Sequence, residues 1–88
     1  MTHKEWTRRL ADYAEAIYDT EDSISRLKTK LWDLESDLDI DLKYSHGINQ
    51  AGIKKEISDV KVTIKEEEAS LEKLKKNRDE WYHVEHDD

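Results

Sequence analysis

The chain has 88 residues, of which 42% are charged and 35% hydrophobic, and its net charge is −7. It has no proline, no cysteine and only two glycines, a composition that is typical of long helices. The acidity is spread over both halves, which disfavours direct nucleic acid binding because phosphate contacts need clustered Lys and Arg. No apolar stretch reaches the roughly 20 residues of a membrane span, and the N-terminus lacks the apolar core of a signal peptide. We therefore expect one small cytoplasmic domain with no membrane segment.

A heptad pattern predicts the first helix. Counting from Trp6 in alternating steps of four and three residues reaches ten positions, of which nine are large apolar or aromatic residues and Thr20 is the exception. The ten positions are Trp6, Leu10, Tyr13, Ile17, Thr20, Ile24, Leu27, Leu31, Leu34 and Leu38. These steps are the a and d positions of a coiled coil, which we call the seam. Thr2 and Glu5 match a capping box at the helix start. The pattern predicts a helix over about residues 3–43, roughly 60 Å long.

A turn over about residues 44–49 follows the first helix. Gly47 suits a left-handed C-cap. Asn49 suits the N-cap of the second helix, with Ile48 and Ile53 at the positions of a hydrophobic staple. A short loop between two long helices favours an antiparallel hairpin.

The second helix is predicted over about residues 50–84 from the same steps, counted from Ile53. Three of its ten seam positions are charged, at Glu67, Arg78 and Glu85. Two interpretations of Glu67 and Arg78 remain open. They specify the helix register or the partner, as buried polar residues do in coiled coils, or their charged ends reach water beside a thin seam.

Two registers compete for the hairpin. The first pairs Leu38 with Ile53 and Leu10 with Trp81, and gives every seam residue a partner. The second, shifted by seven residues, leaves Trp6 and Leu10 without partners. It brings three opposite charges together instead, namely Glu35 with Lys61, Lys28 with Glu68, and Glu21 with Lys75. Burying a Leu or Trp is worth about 1.5–3 kcal/mol and a surface ion pair about 0.3–0.5 kcal/mol, which favours the first register unless another chain covers Trp6 and Leu10.

The predicted fold class is all-α, with two long antiparallel helices forming a coiled-coil helical hairpin. A lone hairpin buries one stripe per helix, and scaffolds of this size usually need a disulfide, a metal or oligomerisation. Because the chain has no cysteine, we expect a homodimer that completes a four-helix bundle. Tyr18 and Trp32 lie off the seam, where an exposed aromatic side chain often marks a contact.

The sequence predicts no enzyme, since it shows no catalytic set of residues and no phosphate-binding loop. We expect no cofactor and no metal site, although hairpin closure would bring His3 towards His83 and His86. The predicted function is that of a non-enzymatic protein–protein interaction module, a small coiled-coil adaptor or assembly protein with a protein partner. Its predicted partner-binding residues are Trp6, Leu10, Tyr18, Trp32 and Trp81.

An alternative function is an acidic inhibitor that blocks a nucleic-acid-binding enzyme, of the kind encoded by phages and mobile elements. The acids of residues 33–41, with Asp87 and Asp88, would supply its charge. Duplex DNA carries one charge per ~1.7 Å, so a net charge of −7 on a rod of roughly 60 Å would imitate only a short segment.

Overall fold

The computed structural model describes residues 1–86 and contains two helices. Helix α1 spans His3–Tyr44 and helix α2 spans Gln50–Tyr82, so α2 ends before the predicted residue 84. The helices pack against each other as a rod of 67 × 14 × 12 Å. The predicted all-α hairpin is confirmed, whereas its completion to a four-helix bundle stays a prediction.

Helix α1 begins with a side-chain cap. The Thr2 hydroxyl accepts a hydrogen bond from the backbone N–H of Glu5 at 3.2 Å, which satisfies one of the N–H groups that a helix start leaves without a partner. Glu5 also places a negative charge in the first turn, where the helix dipole favours it. Sequence and helix start therefore agree.

The hydrophobic core is thin and follows the seam. Six apolar side chains are buried, and all occupy seam positions: Ile17, Ile24, Leu34, Ile57, Val60 and Ile64. The largest cluster joins Leu34 to three of the α2 residues, and four half-buried seam residues pack against it, namely Leu27, Leu31, Leu38 and Ile53. None of the side chains in residues 1–86 is buried to below 2% exposure. The seam thus holds the helices together but leaves its flanks close to water.

The two tryptophans at the open end identify the register. The Trp6 indole N–H donates to the backbone oxygen of Trp81 at 3.1 Å, and the Trp81 indole N–H donates to the backbone oxygen of Trp6 at 3.2 Å. We call these two residues the tryptophan pair. The second register would leave Trp6 without a partner, so the structure has the first.

Ion pairs do not join the helices. Within residues 1–86 the ion pairs each link two residues of one helix, namely Arg26 with Asp22, Lys43 with Asp39, and Arg78 with Asp79. All are exposed, where such pairs are worth little. Apolar burial and the tryptophan pair therefore determine the register, as the comparison of magnitudes predicts.

Asp41 organises the turn, and the sequence interpretation missed it. It is only 5% exposed. Its carboxylate accepts the backbone N–H of Asn49 at 3.1 Å and the Asn49 amide at 3.4 Å, while its backbone oxygen accepts the N–H groups of Ser45 and Gly47. Asp41 is the next seam position, three residues after Leu38, so one more step of the count would have found it.

The turn confirms one predicted feature and contradicts another. Gly47 is left-handed with φ +76°, as predicted, and His46 is left-handed as well with φ 54°. The predicted hydrophobic staple is wrong, because Ile48 is 80% exposed. The Asn49 side chain makes no helix-cap bond and turns to Asp41 instead. A buried carboxylate, rather than an apolar staple, fixes the chain entry into α2.

We predict that Asp41→Ala lowers the free energy of unfolding by about 1–2 kcal/mol, because the Asn49 N–H and amide lose their acceptor. Asp37→Ala is the matched control, since Asp37 is an exposed acid of the same helix. Urea unfolding followed by circular dichroism measures both. Equal stability of the two variants would contradict the assigned role of Asp41.

Candidate protein-binding face

Two shallow grooves lie side by side along one flank of the seam. The first runs between Glu21 and Trp32 on α1 and reaches Glu68 and Leu71 on α2. The second is lined on α2 by Ser58, Lys61, Val62 and Lys65. Both grooves include Lys28 and Glu68, so they form one continuous surface. We call this surface, together with Tyr18, the Trp32 face.

Exposed apolar side chains stand on the Trp32 face. Trp32 is 67% exposed and Tyr18 is 71% exposed. Tyr18, Ser25 and Trp32 are seven residues apart, so they lie in one line along α1. On α2 the exposed Val62 lines the second groove, and Ala69 follows it by seven residues. The structure therefore places two of the predicted partner-binding residues on one open surface.

The seam itself is accessible from this face. Ile24 and Leu71, which are both seam residues, line the first groove beside Trp32. A partner side chain lying in this groove would contact the indole of Trp32 and these aliphatic groups together. The arrangement extends the hydrophobic core outwards and gives an incoming helix an apolar strip to cover.

Besides Lys65, four charged residues flank the apolar strip, and on each helix two of opposite sign lie seven residues apart. Glu21 and Lys28 lie on α1, and Lys61 and Glu68 lie on α2. None of the four forms an ion pair with another residue of the described part of the chain. The charge pairs expected for the second register are therefore absent within residues 1–86, and these groups face solvent instead.

At the end of the rod away from the turn, the tryptophan pair packs α1 against α2. Trp6 and Trp81 are half-buried. The His86 ring stacks on Trp6 with 4.3 Å between ring centroids, and Tyr82 lies at 5.8 Å. The Arg9 guanidinium lies 5.0 Å from the ring centroid of Trp81, within the range of a cation–π contact. These contacts satisfy both indoles inside the hairpin.

The other three predicted partner-binding residues are half-buried inside the hairpin. Trp6 and Trp81 bind each other, and Leu10 is half-buried on the α1 seam. Within residues 1–86 neither helix overhangs the other at this end, because the first register pairs this part of α1 with α2. A contact of these residues with a partner stays a prediction.

The two charged seam residues differ in their surroundings. Arg78 donates to the Asp79 carboxylate from Nε at 3.2 Å and from a terminal nitrogen at 3.1 Å, so its charge is paired along its own helix. Glu67 is half-buried and has no ion pair with another described residue. Their predicted role in register or partner choice stays a prediction.

Of the three histidines near the chain ends, only His3 and His86 lie close together. The rings of His3 and His86 lie 4.9 Å apart, while His83 contacts the edge of Tyr82. In the part of the chain that the structure describes, no three side chains of the metal-binding types are placed to hold one ion. His86 contributes to the aromatic packing around Trp6, which the sequence pattern did not indicate because His86 lies beyond the end of α2.

Comparison with known proteins gives no match to any family model, curated protein or solved structure. Neither α1 nor α2 carries an apolar stretch that could cross a membrane.

We predict that Trp6→Phe and Trp81→Phe each lower the free energy of unfolding by about 1 kcal/mol, because each removes one indole donor while keeping an aromatic ring. Tyr82→Phe is the control, since the exposed Tyr82 makes no side-chain hydrogen bond within residues 1–86. Thermal unfolding in dilute solution compares the three variants. A loss for Tyr82→Phe as large as for the tryptophan variants would count against the hydrogen bonds as the cause.

Proposed function

We propose that the chain is a non-enzymatic protein–protein interaction module, a small coiled-coil adaptor or assembly protein of the cytoplasm that binds its partner through the Trp32 face. The observation that supports it most is the exposure of Trp32 beside a groove lined by Ile24 and Leu71. Tryptophan and tyrosine are enriched among the residues that carry binding energy at protein interfaces. The proposal gives the chain no catalytic step, metal or cofactor.

The energetic gain from covering this face is large for so small a chain. A tryptophan side chain that is 67% exposed can lose on the order of 150 Å² of accessible surface, worth roughly 4 kcal/mol before the cost of association. Tyr18 adds a comparable area. A helical partner would also cover the flank of the thin seam. A homodimer that completes a four-helix bundle is the simplest such assembly.

The acidic-inhibitor alternative has less support. Asp41 is buried at the turn, where its carboxylate is used by Asn49, and Asp39 pairs with Lys43 at 3.1 Å. The acidic run of residues 33–41 therefore presents fewer unpaired carboxylates than its sequence suggests. Asp87 and Asp88 lie outside the described residues. An interface made by apolar contact fits the exposed surface better than one made by charge.

We predict that Trp32→Ala and Tyr18→Ala each reduce capture of the partner from a lysate of the source organism by at least about tenfold, because each removes a large apolar contact. Tyr44→Ala is the matched control, since Tyr44 is 78% exposed at the end of α1 and does not belong to the Trp32 face. Quantitative pull-down measures the retained partner.

The salt dependence of partner capture distinguishes this function from the acidic-inhibitor alternative. An apolar interface retains its partner at about 0.5 M salt, whereas exposed charge pairs are screened there. Capture that disappears at high salt and is unaffected by Trp32→Ala would contradict the proposal and favour the acidic inhibitor.

A further inference from the structure

We infer that the Trp32 face binds a second copy of the same face, related by a twofold axis that crosses both helices at the level of Ser25 and Lys65. The inference rests on the proposed function and adds the identity of the partner and the geometry of the contact. It follows from the spacing of apolar and charged residues on this one surface, which is complementary to itself.

The apolar residues are spaced symmetrically about this axis. A twofold axis across the helices places α1 antiparallel to α1 of the second copy. Tyr18 lies seven residues before Ser25 and Trp32 lies seven residues after it. Tyr18 of each copy therefore contacts Trp32 of the other, which gives two equivalent contacts. On α2 the same axis falls midway between Val62 and Ala69, which then meet in the same way. Tyr18, Trp32, Val62 and Ala69 thereby each gain an apolar partner.

Charged residues of opposite sign are also placed symmetrically about this axis. Glu21 and Lys28 lie on opposite sides of Ser25, so the axis brings Glu21 of each copy towards Lys28 of the other. Lys61 and Glu68 lie on opposite sides of Lys65 and are matched in the same way on α2. None of these four residues forms an ion pair inside the described hairpin. The second copy would neutralise all of them.

The other twofold arrangement fails on charge. An axis parallel to the helices would place α1 on α2 of the second copy, with Glu21 near Glu68 and Lys28 near Lys61. Both contacts join like charges, which oppose association. The crossing axis does bring Lys65 near Lys65 of the second copy. The long lysine side chains let the two ammonium groups turn apart into water. Charge therefore selects the crossing axis.

The axis also lies close to the middle of the rod, which maximises the buried area. Helix α1 spans His3–Tyr44, and Ser25 is near its midpoint, so the two hairpins would overlap over about 38 residues, or roughly 55 Å. A contact of that length and as wide as the rod, 14 Å, covers roughly 800 Å² on each chain, which is the area that stable complexes bury per partner.

Charge reversal with mixing tests the inference. Glu21→Lys and Lys28→Glu each place like charges at both symmetry-related contacts, so each variant alone dimerises about tenfold more weakly than the wild type. An equal mixture of the two variants restores opposite charges at both contacts and returns to wild-type affinity. Sedimentation equilibrium measures the three dissociation constants. A mixture no tighter than its separate components overturns the inferred axis.

Cysteine cross-linking provides an independent readout, since the chain has no cysteine of its own. Ser25→Cys, on the axis, forms a covalent dimer on mild oxidation because its two copies come within disulfide range. Ser70→Cys is the matched control, since Ser70 is exposed but lines neither groove, and it forms no covalent dimer under the same conditions. Equal cross-linking of both variants overturns the inference.

The inference and the proposed function fail in different ways. A wild-type chain that sediments as a monomer at every concentration overturns the second copy as partner, while Trp32-dependent capture of another protein would still support the interaction module. Dimerisation that is unchanged by Trp32→Ala contradicts both, because the assembly would then not use the Trp32 face.

Discussion

A single apolar seam is the constraint on which the rest of this structure depends. Six buried apolar side chains, all at seam positions, hold two helices of 42 and 33 residues together. A heptad repeat allows pairings that differ by seven residues, so contacts at the ends add to apolar burial in fixing the register. Asp41 does so at the turn through its bonds to Asn49. The tryptophan pair does so at the other end through two reciprocal hydrogen bonds.

The same constraint explains why one flank is left exposed. A seam that covers one stripe per helix leaves neighbouring apolar groups in water, and Tyr18, Trp32 and Val62 are among them. No ion pair crosses between the helices within residues 1–86, so the charges beside this strip are not used for folding.

Much of the fold could be predicted from the sequence, because heptad spacing depends only on residue type and position. The helices, the left-handed Gly47 and the register all follow from apolar spacing and its magnitudes. The heptad count reaches Asp41 at its next step, but hydrophobicity alone does not predict its burial, which depends on the donors that Asn49 supplies at the turn. The off-seam position of Trp32 predicted its exposure, whereas its contact with a partner stays a prediction. The grooves around it, and the closure of Trp6 by His86, depend on interhelical distances that spacing alone does not give.

The indole N–H signals of the three tryptophans report on the central claim most directly, because Trp6 and Trp81 are held within the chain while Trp32 would face the second copy in the proposed dimer. Two-dimensional NMR across a dilution series follows all three signals at once. The account predicts that the Trp32 signal shifts as the dimer dissociates and that the Trp6 and Trp81 signals stay in place. A Trp32 signal that does not move, or Trp6 and Trp81 signals that move with it, would contradict the account.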